Sequence, residues 1–309
     1  MSATISVVLS VYNGAEHLAE TLDSILAQTE RDFELIVVDD GSTDATPAIL
    51  QSYAGRDGRV HILRQENRGL TRALIAGCAV ARGAYIARHD TGDTSHPERL
   101  AKQRRMLDAS PELAFVSCAT QYVGPEGEPL WITRPSGAAM RPAHILGGAT
   151  LLDGPTHHGS VVFRRDAYER AGGYRAAFRY GQDFDLWYRL AAEGKFQSTA
   201  DVLYVARITP ESISGTARAE QELLASLSSA ALEARTRGES DDAILVCAAQ
   251  VQPVRSGGTR RSRAAGLYLV GEALRRNRDP RAKRYLRRAI ATWPFSPRAW
   301  LRMAQSLIL

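Results

Sequence analysis

From Ile5 to about Cys118, short apolar runs alternate with amphipathic stretches. ISVVLSVY, FELIVVDD, VHILRQ, AYIARHD and LAFVSCA have the length and β-branched content of buried strands. Between them HLAETLDSILAQ, ATPAILQSYAG, LTRALIAGCAVARG and PERLAKQRRMLDAS repeat apolar positions at helical spacing. Strand followed by helix, repeated four times, predicts an α/β fold with a mostly parallel sheet and helices on both faces. Such sheets bind ligands beyond the carboxyl ends of their strands. Tyr12, Asp39, Asp40 and Asp90 stand at those ends.

Beyond Cys118 the pattern loosens. Residues 119–160 read as irregular, with GPEGEP as a turn between short strands and HILGG as a short helical piece. A strand at SVVFRR, a helix at DAYERAGG, a Gly-Gly-Tyr turn, a helix from Asp183 to Glu193 and a strand at ADVLYVAR follow. The tail is helical throughout, which places a domain boundary near Gly215 and divides the chain into residues 1–215 and an all-helical region 216–309, with SGG at 256–258 as an internal loop. Charge divides in the same way. Residues 216–309 hold 17 Lys and Arg against 8 Asp and Glu, a balance of +9, whereas residues 1–215 hold 22 against 26, a balance of −4.

Acidic residues recur where strands end: Asp39 and Asp40 in LIVVDDGSTDAT, Asp90 and Asp93 in YIARHDTGDTSHPERL, and Asp183 in YGQDFDLWYRL. Paired carboxylates at the end of an apolar strand are costly unless each meets a partner, a ligand or water. A turn and helix cap accounts for Ser42 to Asp44 but not for Asp39 and Asp40. Ser95-His96-Pro97-Glu98 has the form of a capping box before the next helix, so helix entry is a competing reading of Asp93. His157 and His158 adjoin the SVVFRR strand; neighbouring side chains on extended backbone point to opposite faces, so at most one faces a cleft.

ISVVLSVYNGAEHLAETLDSILAQT followed by FELIVVDDGSTDAT resembles the opening of the family 2 glycosyltransferases, and the resemblance runs to about Tyr204. It implies a GT-A-type, Rossmann-like fold and inverting transfer of a sugar from a nucleotide-diphosphate sugar, UDP or dTDP, to a hydroxyl acceptor on a glycan, lipid-linked or protein substrate, as in bacterial polysaccharide, lipopolysaccharide or glycoconjugate synthesis. By the same resemblance Tyr12 and Asn13 pack against the nucleotide base, Asp39 hydrogen-bonds it, Asp40 lies beside ribose and metal, His158 lies near the diphosphate, and Asp183 is the general base. Asp90 and Asp93 stand at the family's Asp-x-Asp element, whose oxygen ligands suit Mn²⁺ or Mg²⁺ bridging a diphosphate. Three positions depart from the family: Ser10 replaces a proline, Gly92 replaces a middle aspartate, and Gln182 replaces a glutamate. The last two sustain a competing reading, a non-catalytic binding or scaffold protein of the same fold.

Composition narrows the classes further. A hydrophobic fraction of 44% and a charged fraction of 24% belong to a globular chain with a sizeable core. Cys78, Cys118 and Cys247 lack CxxC spacing and read as reduced thiols in a cytoplasmic protein. The start MSATISVV has no basic segment of a signal peptide, and no apolar run reaches the roughly 18 residues of a membrane span. A sugar nucleotidyltransferase needs a glycine-rich basic phosphate loop after the first strand, which SVYNGAEHLAE lacks. The basic tail has few interleaved aromatics, so no nucleic acid is expected. Its +9 balance fits peripheral contact with the inner face of a membrane, dimerisation, or a solvated helix face.

Overall fold

The computed structural model describes residues 3–135, 154–210, 218–251 and 259–308. Its sheet runs β3 (Val60–Arg64), β2 (Phe33–Asp39), β1 (Ile5–Val11), β4 (Tyr85–Asp90), β8 (Val162–Arg164), β6 (Leu113–Val123), β9 (Lys195–Arg207) and β5 (Thr94–Ser95), with β7 (Pro129–Thr133) paired to β6. The first four strands in this order are parallel. Beyond β4 the order turns antiparallel, because β8 enters between β4 and β6 against both, and β5 runs against β9. Register brings the acidic ends level: Val11 lies opposite Asp39, Ser10 opposite Asp90, and Arg64 opposite Asp39.

Period-two alternation divides the sheet between two cores. Ile5, Val7, Leu9 and Val11 pack with Leu18 and Leu22 of α1 (Ala15–Leu26), Leu50 of α2 (Thr46–Ala54), and Leu100 and Leu107 of α4 (Arg99–Ala109). Val8, Ile36 and Val38 turn the other way, onto Leu74 of α3 (Leu70–Ala79), Ala167 of α5 (Arg165–Arg170), and Leu186, Trp187 and Leu190 of α6 (Gln182–Glu193). Each large apolar side chain buried in this way stabilises by about 1.5–3 kcal/mol, so the two cores hold the strand ends in place. Cys78 and Cys118 are buried free thiols, raised by burial to about 12 and about 11, and Cys247 is exposed.

The capping box expected at Ser95 to Glu98 does not form. Helix α4 starts at Arg99 with Glu98 as its N-cap and no side-chain cap bond. Ser95 instead sits in β5 and accepts from Arg99 Nη1 at 2.9 Å, a bond available because both groups are buried beside the acidic turn.

Among the described residues, five helices follow β9: α7 (Arg218–Thr236), α8 (Asp242–Gln250), α9 (Arg260–Arg276), α10 (Ala282–Thr292) and α11 (Pro297–Ile308). The chain forms two compact units, one of Met1–Thr120, Thr133–Val205 and Leu224–Val251, the other of Gln121–Ile132, Ala206–Leu223 and Gln252–Leu309. Within the first unit, Leu224 of α7 and Ala248 of α8 bury Phe178, just ahead of α6. Within the second, Leu130 packs with Leu267, Val270, Leu274 and Tyr285, and the Tyr285 hydroxyl donates to the buried Glu128 at 2.5 Å. The boundary expected near Gly215, the SGG loop and the short helix expected at HILGG all lie outside the described residues.

Candidate active site

Asp90 ends β4, and the chain turns tightly there, with the Asp93 N–H donating to the Asp90 carbonyl at 3.4 Å. Gly92 takes φ 94° inside this turn, a conformation that L side chains rarely adopt. That backbone explains why a glycine stands where the family carries a middle aspartate. Asp93 is buried just ahead of β5, and its backbone carbonyl accepts from Thr21 Oγ1 at 2.9 Å.

The two histidines diverge where His157, on extended backbone, gives way to a 3-10 turn that His158 opens, and the one beside the acids is His157. Its Nδ1 lies 3.8 Å from Asp93 and 3.9 Å from Asp90, and accepts from the Gly159 N–H at 3.0 Å. His158, which the resemblance favoured, points the other way: its Nε2 shares a 2.7 Å hydrogen bond with the Tyr174 hydroxyl, and its ring meets Trp187 edge-on at 6.3 Å. Burial lowers the pKa of both imidazoles. The one lone pair of His157 Nδ1 is taken by the Gly159 N–H, so a metal ligated there would displace that bond. Asp90, Asp93 and His157 bring their ligand atoms within 4.8 Å of one another. Two carboxylates and an imidazole are a ligand set that can hold a divalent cation.

Tyr204 of β9 secures this turn. Its hydroxyl donates to Asp93 Oδ2 at 2.8 Å and accepts from the Asp90 N–H at 3.1 Å, while its ring stacks on His157 at 5.2 Å. Arg99 also reaches this tyrosine, with its guanidinium 5.0 Å from the ring centre. Arg88 is fully buried on β4 and bonds Asp90 through Nη2; its Nε and Nη1 have no hydrogen-bond partner among the described residues. Burial alone would raise Asp90, but the Arg88 charge holds it well below the usual carboxylate range. His89 is lowered to about 3 by burial and, next, by the Arg99 charge. Sequence reasoning favoured His158 over His157 and gave Tyr204, Arg88 and Arg99 no part in the site; an arginine two residues ahead of Asp90 on an apolar strand was the visible signal for Arg88.

At the end of β2 the adjacent acids separate. Asp39 accepts from the Ser42 N–H at 2.9 Å through Oδ1, and Arg64 Nε lies 3.6 Å from Oδ2. Asp40, expected beside ribose and metal, is directed into the loop after β3 instead. It accepts from Gln65 Nε2 at 2.6 Å, the Arg68 N–H at 2.9 Å and the Gly69 N–H at 2.8 Å. Three donors converge on it, so its carboxylate shapes the loop. Asn13 likewise binds the β2–α2 loop, accepting from the Thr43 N–H at 2.8 Å, and the Tyr12 ring is left 51% exposed after the end of β1.

Asp183 lies in the first turn of α6. Gly181, at φ 67°, precedes the helix, a left-handed conformation that glycine adopts without strain. Burial pushes the Asp183 carboxyl up to about 6; the Phe184 N–H, donating at 3.0 Å, opposes the rise, and the Asp90 charge adds to it. Asp185, by contrast, is a structural anchor. It is buried against Arg175 and Arg189, with Arg189 Nη2 at 2.6 Å, and Arg175 continues to Asp241 of the α7–α8 connection at 2.6 Å.

A doubly flanked sheet with acids at the carboxyl ends of its parallel strands is an α/β architecture whose ligand crevice lies beyond those ends. Residues 6–172 match the model of glycosyl transferase family 2, and the chain belongs to that family. The glycosyltransferase EpsE of Bacillus subtilis (strain 168) is 33% identical over 208 residues, covering 66% of this chain and 72% of that protein. An uncharacterized glycosyltransferase of Rickettsia prowazekii (strain Madrid E) is 27% identical over 239 residues, 77% of this chain and 74% of its own. Among solved structures, Staphylococcus aureus TarS 1-349 in complex with UDP is similar with TM-score 0.57 and 15% identity over 99% of this chain and 88% of that one. The mannosyltransferase PcManGT from Pyrobaculum calidifontis, in complex with GDP-Man and Mn²⁺, gives TM-score 0.58 and 21% identity over 99% and 85%. These likenesses establish the GT-A-like fold.

Proposed function

We propose that this glycosyltransferase moves a sugar from a nucleoside-diphosphate sugar to an acceptor hydroxyl with inversion, Asp183 acting as general base. What supports the reading is Asp183 in the first turn of α6, its carboxyl raised by burial to about 6 with a smaller contribution from the Asp90 charge. The acceptor oxygen attacks the anomeric carbon and its proton passes to the Asp183 carboxylate. A C–O bond forms on one face while the bond to the diphosphate breaks on the other, and the electron pair leaves with the nucleoside diphosphate. A base near neutrality is matched to this proton transfer and contributes about 10²- to 10⁴-fold. Asp90, Asp93 and His157 would hold Mn²⁺ or Mg²⁺, which when bound supplies Lewis-acid stabilisation of the leaving diphosphate.

Asp39 presents Oδ2 as an acceptor with the Arg64 donor beside it, a pairing that fits the N3–H and carbonyl of uracil or thymine, and the exposed Tyr12 ring offers a stacking face. UDP in the TarS complex, and GDP-Man with Mn²⁺ in the PcManGT complex, support a nucleoside-diphosphate donor. The acceptor belongs to a glycan, lipid-linked or protein substrate of a bacterial surface-polymer or glycoconjugate route. Release of nucleoside diphosphate from UDP-, dTDP- and GDP-sugars, with and without Mn²⁺, tests the reading. Turnover with a pyrimidine donor that Asp183→Asn removes supports it; tight donor binding with no turnover in any acceptor pool would make the protein a binding module.

A further inference from the structure

The last two helices combine an acid-free run with an uncovered aromatic surface. Residues 280–309 contain seven Lys and Arg and no Asp or Glu. Within α10 and α11, Arg284 pairs with Glu126 and Arg302 with Glu272. Arg287, Arg288 and Arg298 are exposed and have no ion pair among the described residues. Where these helices meet, Phe295 is 78% exposed, Trp300 55% and Leu301 54%. The aromatic groups adjoin: Trp293 meets Phe295 edge-on at 5.5 Å, and Trp300 Nε1 donates to the Pro294 carbonyl at 2.9 Å. That bond satisfies the one polar atom of the Trp300 indole, so what it presents outward is apolar. Helix α11 already buries Ala299 and Ser306, so the exposed residues are a second face and not its core side.

We propose that this surface docks on an anionic phospholipid bilayer, with Phe295, Trp300 and Leu301 entering the headgroup boundary and Arg287, Arg288 and Arg298 meeting the acidic headgroups. Aromatic and apolar side chains beside unpaired arginines are the chemistry of interfacial attachment. No described helix is long and apolar enough to cross a membrane, so the contact is one of lying on the surface. A second copy is a poorer occupant, because a two-fold interface would bring Arg287, Arg288 and Arg298 up against their own copies. Nucleic acid would meet the arginines but leave the apolar residues against phosphate.

The test is vesicle flotation of the full chain with phosphatidylglycerol–phosphatidylcholine mixtures and with phosphatidylcholine alone, at low and high salt. The parent should float with the anionic vesicles at low salt and stay down with the neutral ones. Arg287→Glu/Arg288→Glu/Arg298→Glu should weaken partitioning by about 100-fold or more, given the usual contribution of each basic residue at such a surface. Phe295→Ser/Trp300→Ser/Leu301→Ser should also weaken it; since all six positions are exposed, both variants should melt as the parent does. Equal flotation with neutral vesicles, no flotation, or variants that float like the parent would overturn the proposal. So would a concentration-dependent dimer, seen by sedimentation velocity, that the serine variant abolishes, because the surface would then belong to a second copy. Nucleotide release by the variants in solution is a separate readout, so failure here leaves the catalytic reading untouched.

Discussion

The Tyr204 hydroxyl donates to the Asp93 carboxylate at 2.8 Å, across 111 residues of chain. This bond, with the Asp90 N–H returned to the same oxygen, anchors the acidic turn to β9. Tyr204→Phe should cost about 1–3 kcal/mol of stability, because it leaves buried groups without their partner, and should weaken Mn²⁺ binding more than nucleotide binding. Thermal melts and calorimetry on one preparation check both. Gly159→Ala should act similarly without touching the acids, because a methyl there overlaps the Tyr204 hydroxyl.

Asp183→Asn should lower turnover by about 10² or more with donor affinity nearly unchanged. In the parent, kcat/KM should fall as pH drops through about 6, since the base must be ionised. Stability runs the other way. A carboxyl raised above its unfolded value of 3.8 binds its proton more tightly in the folded state, so its contribution is lost as pH climbs from about 4 to about 6. The melting temperature of Asp183→Asn should therefore gain on that of the parent across this window and hold its advantage above it. A difference that shrinks with rising pH would remove Asp183 from its buried setting.

Asp185, two residues on, should give the opposite result. Asp185→Asn strips a buried carboxylate from Arg175 and Arg189 and loosens the link to Asp241, for an expected loss of about 3–5 kcal/mol. Denaturant unfolding at neutral pH reads the contrast between neighbouring aspartates directly.

His157→Ala and His158→Ala should also separate. The first should weaken Mn²⁺ binding about tenfold or more, followed by electron paramagnetic resonance of free Mn²⁺, with little change in melting temperature. The second should lower the melting temperature through the lost Tyr174 bond and Trp187 packing while Mn²⁺ affinity stays near that of the parent.

The parallel strands and their acidic ends were legible because β1 to β4 carry apolar runs whose burial forces each acid to the rim. Local pattern also showed α6, with Leu186, Trp187 and Leu190 at helical spacing. What it could not show depends on long-range pairing. Whether His157 or His158 faces Asp93 is decided by the register of β8 and the short turn before it, and one residue of slip exchanges them. The destination of the Asp40 carboxylate depends on where Gln65 to Gly69 return, and Tyr204's part needs β9 beside β5. The antiparallel strands were hidden for the same reason, since an apolar run reads alike in either direction. Helices 224–251 read as tail by composition, yet they pack in the unit that contains α6, through Phe178 and Asp241.

Arg88 sets stability against use at the centre of the sheet. An interior guanidinium with two unmet nitrogens is a place where a methionine or leucine would make the fold more robust. Directed evolution scored only on survival of heating should find such replacements readily. The survivors would be hardier and idle, having discarded the counter-charge that holds Asp90. Any thermal selection on this scaffold therefore has to be paired with a turnover screen, and Arg88 is the position at which the two rankings should disagree first.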